Sequence, residues 1–126
     1  MGWRVRAIRG ATTVTSNSVG EIAAAVTELL DQVEHHNVLD LAEIVSVTFS
    51  VTKDLDAIFP AAIARARPGW DNVPLLDVQQ MYVVGSLERC IRLLIHFNTP
   101  DPDVPIAHAY LRGAQALRPD LVVTRL

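Results

Sequence analysis

With 126 residues, half of them hydrophobic and a fifth charged, the chain has the composition of one globular domain with apolar surface to spare, which favours a homo-oligomer. Its formal net charge of −3 argues against a general nucleic-acid binder, which would carry a basic stripe with aromatics between, and its single cysteine rules out a disulfide framework or a thiolate metal site. No stretch approaches transmembrane length, and the charged start Met1-Gly-Trp-Arg-Val-Arg6 lacks a signal peptide's apolar run, so a soluble, cytoplasmic protein with no membrane association is expected.

Residues 3–11 alternate weakly, with Val5, Ala7, Arg9 and Ala11 on one face and Arg4, Arg6, Ile8 and Gly10 on the other, which predicts a strand. Ser18-Val-Gly-Glu21 has the spacing of a helix capping box. Ile22, Val26, Leu29, Leu30 and Val33 follow at helical intervals to about Asn37. From Glu43 to Val51 the period switches to two, with Val45, Val47, Phe49 and Val51 facing one way and Ser46, Thr48 and Ser50 the other. Lys53-Asp-Leu-Asp56 breaks that strand, and Pro60 suits the first turn of a shorter helix through Arg67, ended by Pro68-Gly69.

Val73 to Val84 reads as extended and Cys90 to Phe97 as the central strand. Thr99 to Pro105 reads as a proline-rich loop, and Ala107 to Leu111 as a last strand. The order β-α-β-α-β-β, with strands returning to one sheet, predicts a single α+β domain over residues 1–126 with helices on one face. In the central strand Ile91, Leu93, Ile95 and Phe97 can meet those helices. Cys90, Arg92, Leu94 and His96 point the other way, on a face that is neither polar nor core and suits packing against further copies of the chain.

Arg92 is the anomaly in that strand, because an unpaired guanidinium in apolar surroundings costs several kcal/mol unless an anion meets it, on the order of the buried-charge penalty. Arg9 and Arg118 sit in similar settings. Lys53 is the only lysine beside ten arginines, a bias that suits two-point grip on carboxylates and equally suits a GC-rich genome.

Other chemistry is poorly supported. His35 and His36 lie near a helix C-terminus, where a protonated imidazole suits the dipole, and His96 and His108 have no ligand-spaced partner, so no metal is expected. The serines match no nucleophile elbow, Cys90 has nothing near it to lower its pKa, and Gly10, Gly20, Gly69, Gly85 and Gly113 form no phosphate-binding loop. An arginine site for a small polyanion, working by positioning and electrostatics, is what remains. The competing possibility is that these arginines simply pair with Asp31, Asp77 or Asp120.

Ile8-Arg-Gly-Ala-Thr-Thr13, Phe59-Pro-Ala61, Gly69-Trp70 with Val73-Pro74, Gly85 with Cys90-Ile-Arg92, and His108-Ala-Tyr-Leu-Arg112 followed by Leu117-Arg-Pro-Asp-Leu121 together resemble the monofunctional chorismate mutases of the AroH class, from Val5 to about Leu121. The resemblance implies a ferredoxin-like mixed sheet, a homotrimer with a pseudo α/β barrel core, and active sites at subunit interfaces. It also implies an isomerase of aromatic amino-acid biosynthesis that converts chorismate to prephenate without cofactor. Arg92 then matches the arginine that donates to the breaking ether oxygen, and Arg9 and Tyr110 match residues that hold a substrate carboxylate. Phe59, Ala61, Arg65, Leu117 and Arg118 would form the wall contributed by the adjacent subunit, and Leu75, Leu76 and Val78 would contribute to substrate binding.

Three positions depart from the family pattern: Gln80 replaces a glutamate, Asp77 a cysteine and Ala62 a lysine. If the segment bends, Asp77 can pair with Arg92 while Gln80 keeps a substrate hydroxyl contact. A trimeric protein that binds a small carboxylate metabolite without catalysis is the alternative the Gln80 change suggests.

Overall fold

A computed structural model describes residues 2–122. The alternating segment forms β1 (Arg4–Thr13), and the capped amphipathic segment forms α1 (Val19–His36). Ser18 Oγ accepts from Glu21 N at 3.2 Å, satisfying one orphan donor of the first turn, a contribution of about 1 kcal/mol. The Glu21 carboxylate takes the Thr15 hydroxyl at 3.3 Å, while Ser18 N turns to the Ser16 carbonyl. Ile22, Ala25, Val26, Leu29, Leu30 and Val33 form the buried stripe of α1.

β2 (Ile44–Val51), α2 (Pro60–Arg65), β3 (Leu75–Gln79), β4 (Cys90–Thr99) and β5 (Ala109–Tyr110) complete the framework. The sheet order is β3-β2-β4-β1-β5. β4 lies at its centre, antiparallel to both β1 and β2, while β3 and β5 join the flanks in parallel. Ile8, Val47, Phe49, Ile91, Leu93, Ile95 and Phe97 share one apolar cluster with α1 and with Ala61 and Ala64 of α2, so both helices cover the same face of a mixed α+β sheet. Among the described residues, no helix is long and apolar enough to cross a membrane.

Four expectations need correction. Ile44 pairs with Phe97 and Ser46 with His96, so Val45 is an extra residue that points outward, 44% exposed, while Ile44 is buried in its place. A bulge of this kind breaks strict alternation without leaving a mark in composition. The helix expected to reach Arg67 ends at Arg65, after which Gly69 takes φ +84°, a conformation glycine adopts without steric cost.

Of the extended run 73–84, only Leu75–Gln79 is strand, because its partner β2 ends at Val51, opposite Gln79. β5 is shorter than expected because side chains take over its ladder. Asn37 donates to the Ala107 carbonyl and accepts from Ala107 N at 2.9 and 2.8 Å, and the His108 ring accepts from Arg9 N at 2.9 Å. Gly10 allows the close packing there: a Cβ would lie 3.2 Å from the Ala109 carbonyl and Leu93 Cγ and 3.3 Å from Leu29 Cδ1.

Candidate active site

The face of the sheet away from the helices carries Arg9, Arg92 and Tyr110. Strand register lines up Ser50 of β2, Arg92 of β4, Ala11 of β1 and Tyr110 of β5 as one rung, with Thr48, Leu94 and Arg9 as the next. Small neighbours on both sides of Arg92 leave space above the strands. The result is a cleft of about 340 Å³ lined by Arg9, Ala11, Thr48, Ser50, Arg92 and Tyr110, among others.

Arg92 is half-buried, and its Nε is buried without a hydrogen-bond acceptor. Its guanidinium lies beside Cys90; burial pushes that thiol up, and the neighbouring positive charge pulls against the rise. Five ion pairs occur among the described residues, and none includes Arg9 or Arg92. Asp31 is taken by Arg67 at 3.0 Å. Arg67 also holds Glu34 at 3.0 Å, which accepts from Trp70 Nε1 at 2.6 Å. The simple ion-pair alternative therefore holds for Arg118, which grips Asp120 at 2.8 and 3.1 Å, and fails for the two strand arginines.

The segment beyond β5 packs against Ala11 and Tyr110. Leu117 packs with Ala11, Tyr110 and Ala114 of its own chain. Asp120 is held below the usual carboxylate range, first by the Arg118 hydrogen bonds and also by the charges of Arg118 and Arg9. His108 is lowered by burial and then by Arg9 and Arg118, which keeps its ring neutral and able to accept from Arg9 N. Within one chain Leu117 and Arg118 thus stand near Tyr110 and Arg9 and apart from Phe59, Ala61 and Arg65.

A second cleft, about 540 Å³, opens beside the start of α2 and is lined by Leu55, Ile58, Phe59, Pro60, Asp77 and Val78, among others. Phe59 is 71% exposed there. Asp77 Oδ1 accepts from Ala61 N at 3.0 Å, capping a helix whose Phe59 N-cap offers no side-chain acceptor. Burial raises the Asp77 carboxyl above its ordinary value, although the Ala61 N–H and the Arg65 charge oppose the rise. The two clefts share no lining residue among those described.

The expected pairing of Asp77 with Arg92 does not form within the chain. β3 runs in unbroken register with β2, placing Asp77 opposite the core residue Phe49 and Val78 opposite Ser50. Leu75 and Asp77 therefore face the helices, and Leu76 and Val78 the open side. Without the anticipated bend, positions 77 and 80 diverge as a regular strand requires. Gln80 continues the ladder through its N–H to Val51 O at 2.8 Å, and its Oε1 is buried without a partner. Leu75 and Ala61 pack into the core, which leaves Leu75 no open-face surface, while Ala61 serves the second cleft through its backbone N–H to Asp77. Arg65 is exposed in the last turn of α2.

The contacts of His108 with Arg9 N and of Asp54 with Arg89 N at 3.0 and 3.2 Å had no local sequence signal, since each joins residues far apart in the chain. Among the described residues no cluster of three or more His, Cys, Asp or Glu side chains could hold a metal.

Taken together, fold and cleft define an α+β protein whose open sheet face carries Arg9 and Arg92, neither in an ion pair among the described residues. Residues 5–121 match the family model of chorismate mutase type I. The chain is 39% identical over 121 residues to chorismate mutase AroH of Bacillus subtilis strain 168, covering 96% of this chain and 95% of that protein. It is 44% identical over 118 residues to chorismate mutase AroH of Thermus thermophilus, covering 93% and 96%. A solved chorismate mutase from Clostridium thermocellum superposes with a TM-score of 0.80 at 44% identity, over 88% of this chain and 98% of its own. The chain belongs to the chorismate mutase type I family.

Proposed function

We propose that this protein is an isomerase that rearranges chorismate to prephenate in aromatic amino-acid biosynthesis, as a single-domain, cytoplasmic homotrimer. The observation that carries the reading is the Arg92 Nε, buried without an acceptor among the described residues, beside an Arg9 that enters no ion pair among them. An orphaned charged donor in a half-buried cleft is costly, and an anionic ligand offsets that cost. In the rearrangement one molecule breaks its ether C–O bond ahead of forming a C–C bond, so negative charge gathers on the ether oxygen and nothing is gained or lost. Arg92 donates to that oxygen and contributes more to the transition state than to the ground state.

Arg9 and Tyr110 hold a substrate carboxylate, and Gln80, with its unpartnered Oε1, accepts from the substrate hydroxyl. Phe59, Val78 and Arg65 close the site from an adjacent subunit. Support for assembly comes from the apolar side chains left exposed on and beside the open face, including Leu76, Val78, Leu94, Met81 and Phe59. Support also comes from the division of the implied site between two separate clefts. As a trimer, the open faces form the pseudo α/β barrel core.

Incubating the purified protein with chorismate tests the proposal. Prephenate formed one-for-one with chorismate consumed, at a rate unaffected by a metal chelator, is the expected result. Binding without conversion would instead support a metabolite-binding protein.

A further inference from the structure

Arg89, the residue immediately before β4, has φ +45°, a left-handed conformation disfavoured for a side chain with a Cβ. Two contacts hold it there. Its N–H donates to both Asp54 carboxylate oxygens at 3.0 and 3.2 Å, and Val14 closes the other side, with Val14 N donating to Arg89 O at 3.0 Å and Arg89 Nε to Val14 O at 3.3 Å. The next donor in the chain, Cys90 N, goes to Thr52 Oγ1 at 3.0 Å, and that hydroxyl donates in turn to Asp54 Oδ1. Consecutive backbone donors at the root of β4 therefore end on one carboxylate, directly or through a single hydroxyl.

This root is where β4 loses its β2 partner, since the register of β2 with β4 ends at Val51 and Ile91. Cys90 is held on that side by Thr52, and Arg92 stands two residues further along β4, with its side chain on the same face of the sheet. We propose that Asp54 is a positioning residue for Arg92, fixing the left-handed turn at Arg89 and the backbone of Cys90 at the root of the strand that carries the guanidinium. The inference builds on the isomerase reading. Asp54 touches no substrate in it and acts only through the geometry of β4. An anionic carboxylate suits that role. Burial opposes the charge, yet the bonds from Thr52 and Arg89 N and the Arg89 charge outweigh it and lower the carboxyl below its ordinary value.

The test is Asp54→Ala, measured for kcat, KM and thermal midpoint, together with the double variant Asp54→Ala/Arg89→Gly, in which glycine adopts the turn unaided. A misplaced Arg92 is expected to lower kcat by about ten-fold or more with KM within about two-fold, and Arg89→Gly to recover most of the loss. Unchanged kcat in folded Asp54→Ala, or no recovery in the double variant, overturns the proposal. Thr52→Val removes only the relay to Cys90 N and is expected to show the same loss confined to kcat; full kcat there overturns the proposal even if Asp54→Ala fails to fold. The NMR signal of Arg92 Nε–Hε separates this inference from the isomerase reading. Should the wild type lack turnover, a signal displaced in Asp54→Ala and restored in the double variant still supports the positioning role, and an unmoved signal refutes it.

Discussion

The two faces of the sheet use the same five strands and have opposite characters. On the helix face, Phe49, Ile91, Ile95 and Phe97 are essentially inaccessible, and Arg67 pairs with Glu34 and Asp31, with only its Nε and the Thr12 hydroxyl buried without partners. On the open face Arg9 and Arg92 enter no ion pair among the described residues, and the Nε of Arg92 and the Oε1 of Gln80 are buried without hydrogen bonds to them. One face closes on the chain's own helices. The other, on the proposed reading, is completed by an anion and a neighbouring subunit. Stability should therefore respond to one face and activity to the other, even for residues adjacent on a strand.

The largest expected effect on folding comes from Phe49→Ala, which removes a fully buried ring and should cost about 3–5 kcal/mol in denaturant titrations. Activity per folded molecule should survive; a selective loss of kcat in a stable variant would break the division between faces. On the open face, Arg9→Gln should weaken substrate binding by about 1.5–3 kcal/mol, the usual worth of a hydrogen bond to a charged group. That change should appear as a raised KM with little movement of the thermal midpoint.

Gly10→Ala probes the one place where both sides feel the same atom. Its Cβ would press on Leu29 and Leu93 beneath and on the Ala109 carbonyl at the side, an overpacking cost of about 1–3 kcal/mol. Because β5 carries Tyr110, KM should rise as well.

The smallest expected effect is a pH dependence at Asp77. Its carboxyl is raised in the folded state, so its contribution favours folding below the unfolded pKa and is lost as pH rises through the folded value. Asp77→Asn keeps an acceptor for Ala61 N and removes the titration, so its thermal midpoint should gain on the wild type as pH rises above the ordinary aspartate value of about 4. A gap that stays constant across that range would contradict the burial assigned to this carboxylate.

Much of this was legible in the sequence because it depends on periodicity. The α1 stripe, the alternation of β4 and the placement of Arg92 away from the helices follow from side-chain spacing, and the family motifs added the identity of the ligand. What was illegible depends on geometry between distant segments. The Val45 bulge, the ring of His108 standing in for a ladder carbonyl and the Asp54 grip on Arg89 leave no local pattern. The Asp77–Arg92 pairing is absent within one chain for a related reason: it needs a bend that brings residues 77 and 80 together, whereas β3 stays regular and sends Asp77 to the α2 N-terminus.

The most direct test of the account is chorismate turnover by Arg92→Lys beside the wild type, with both thermal midpoints measured. A lysine keeps the charge and loses the fork, so kcat should fall by about a hundred-fold or more, the size of losing one preorganised donor to a developing anion, while the midpoint stays put. Wild-type kcat in Arg92→Lys, or a loss explained wholly by unfolding, would contradict the claim that this guanidinium carries the chemistry.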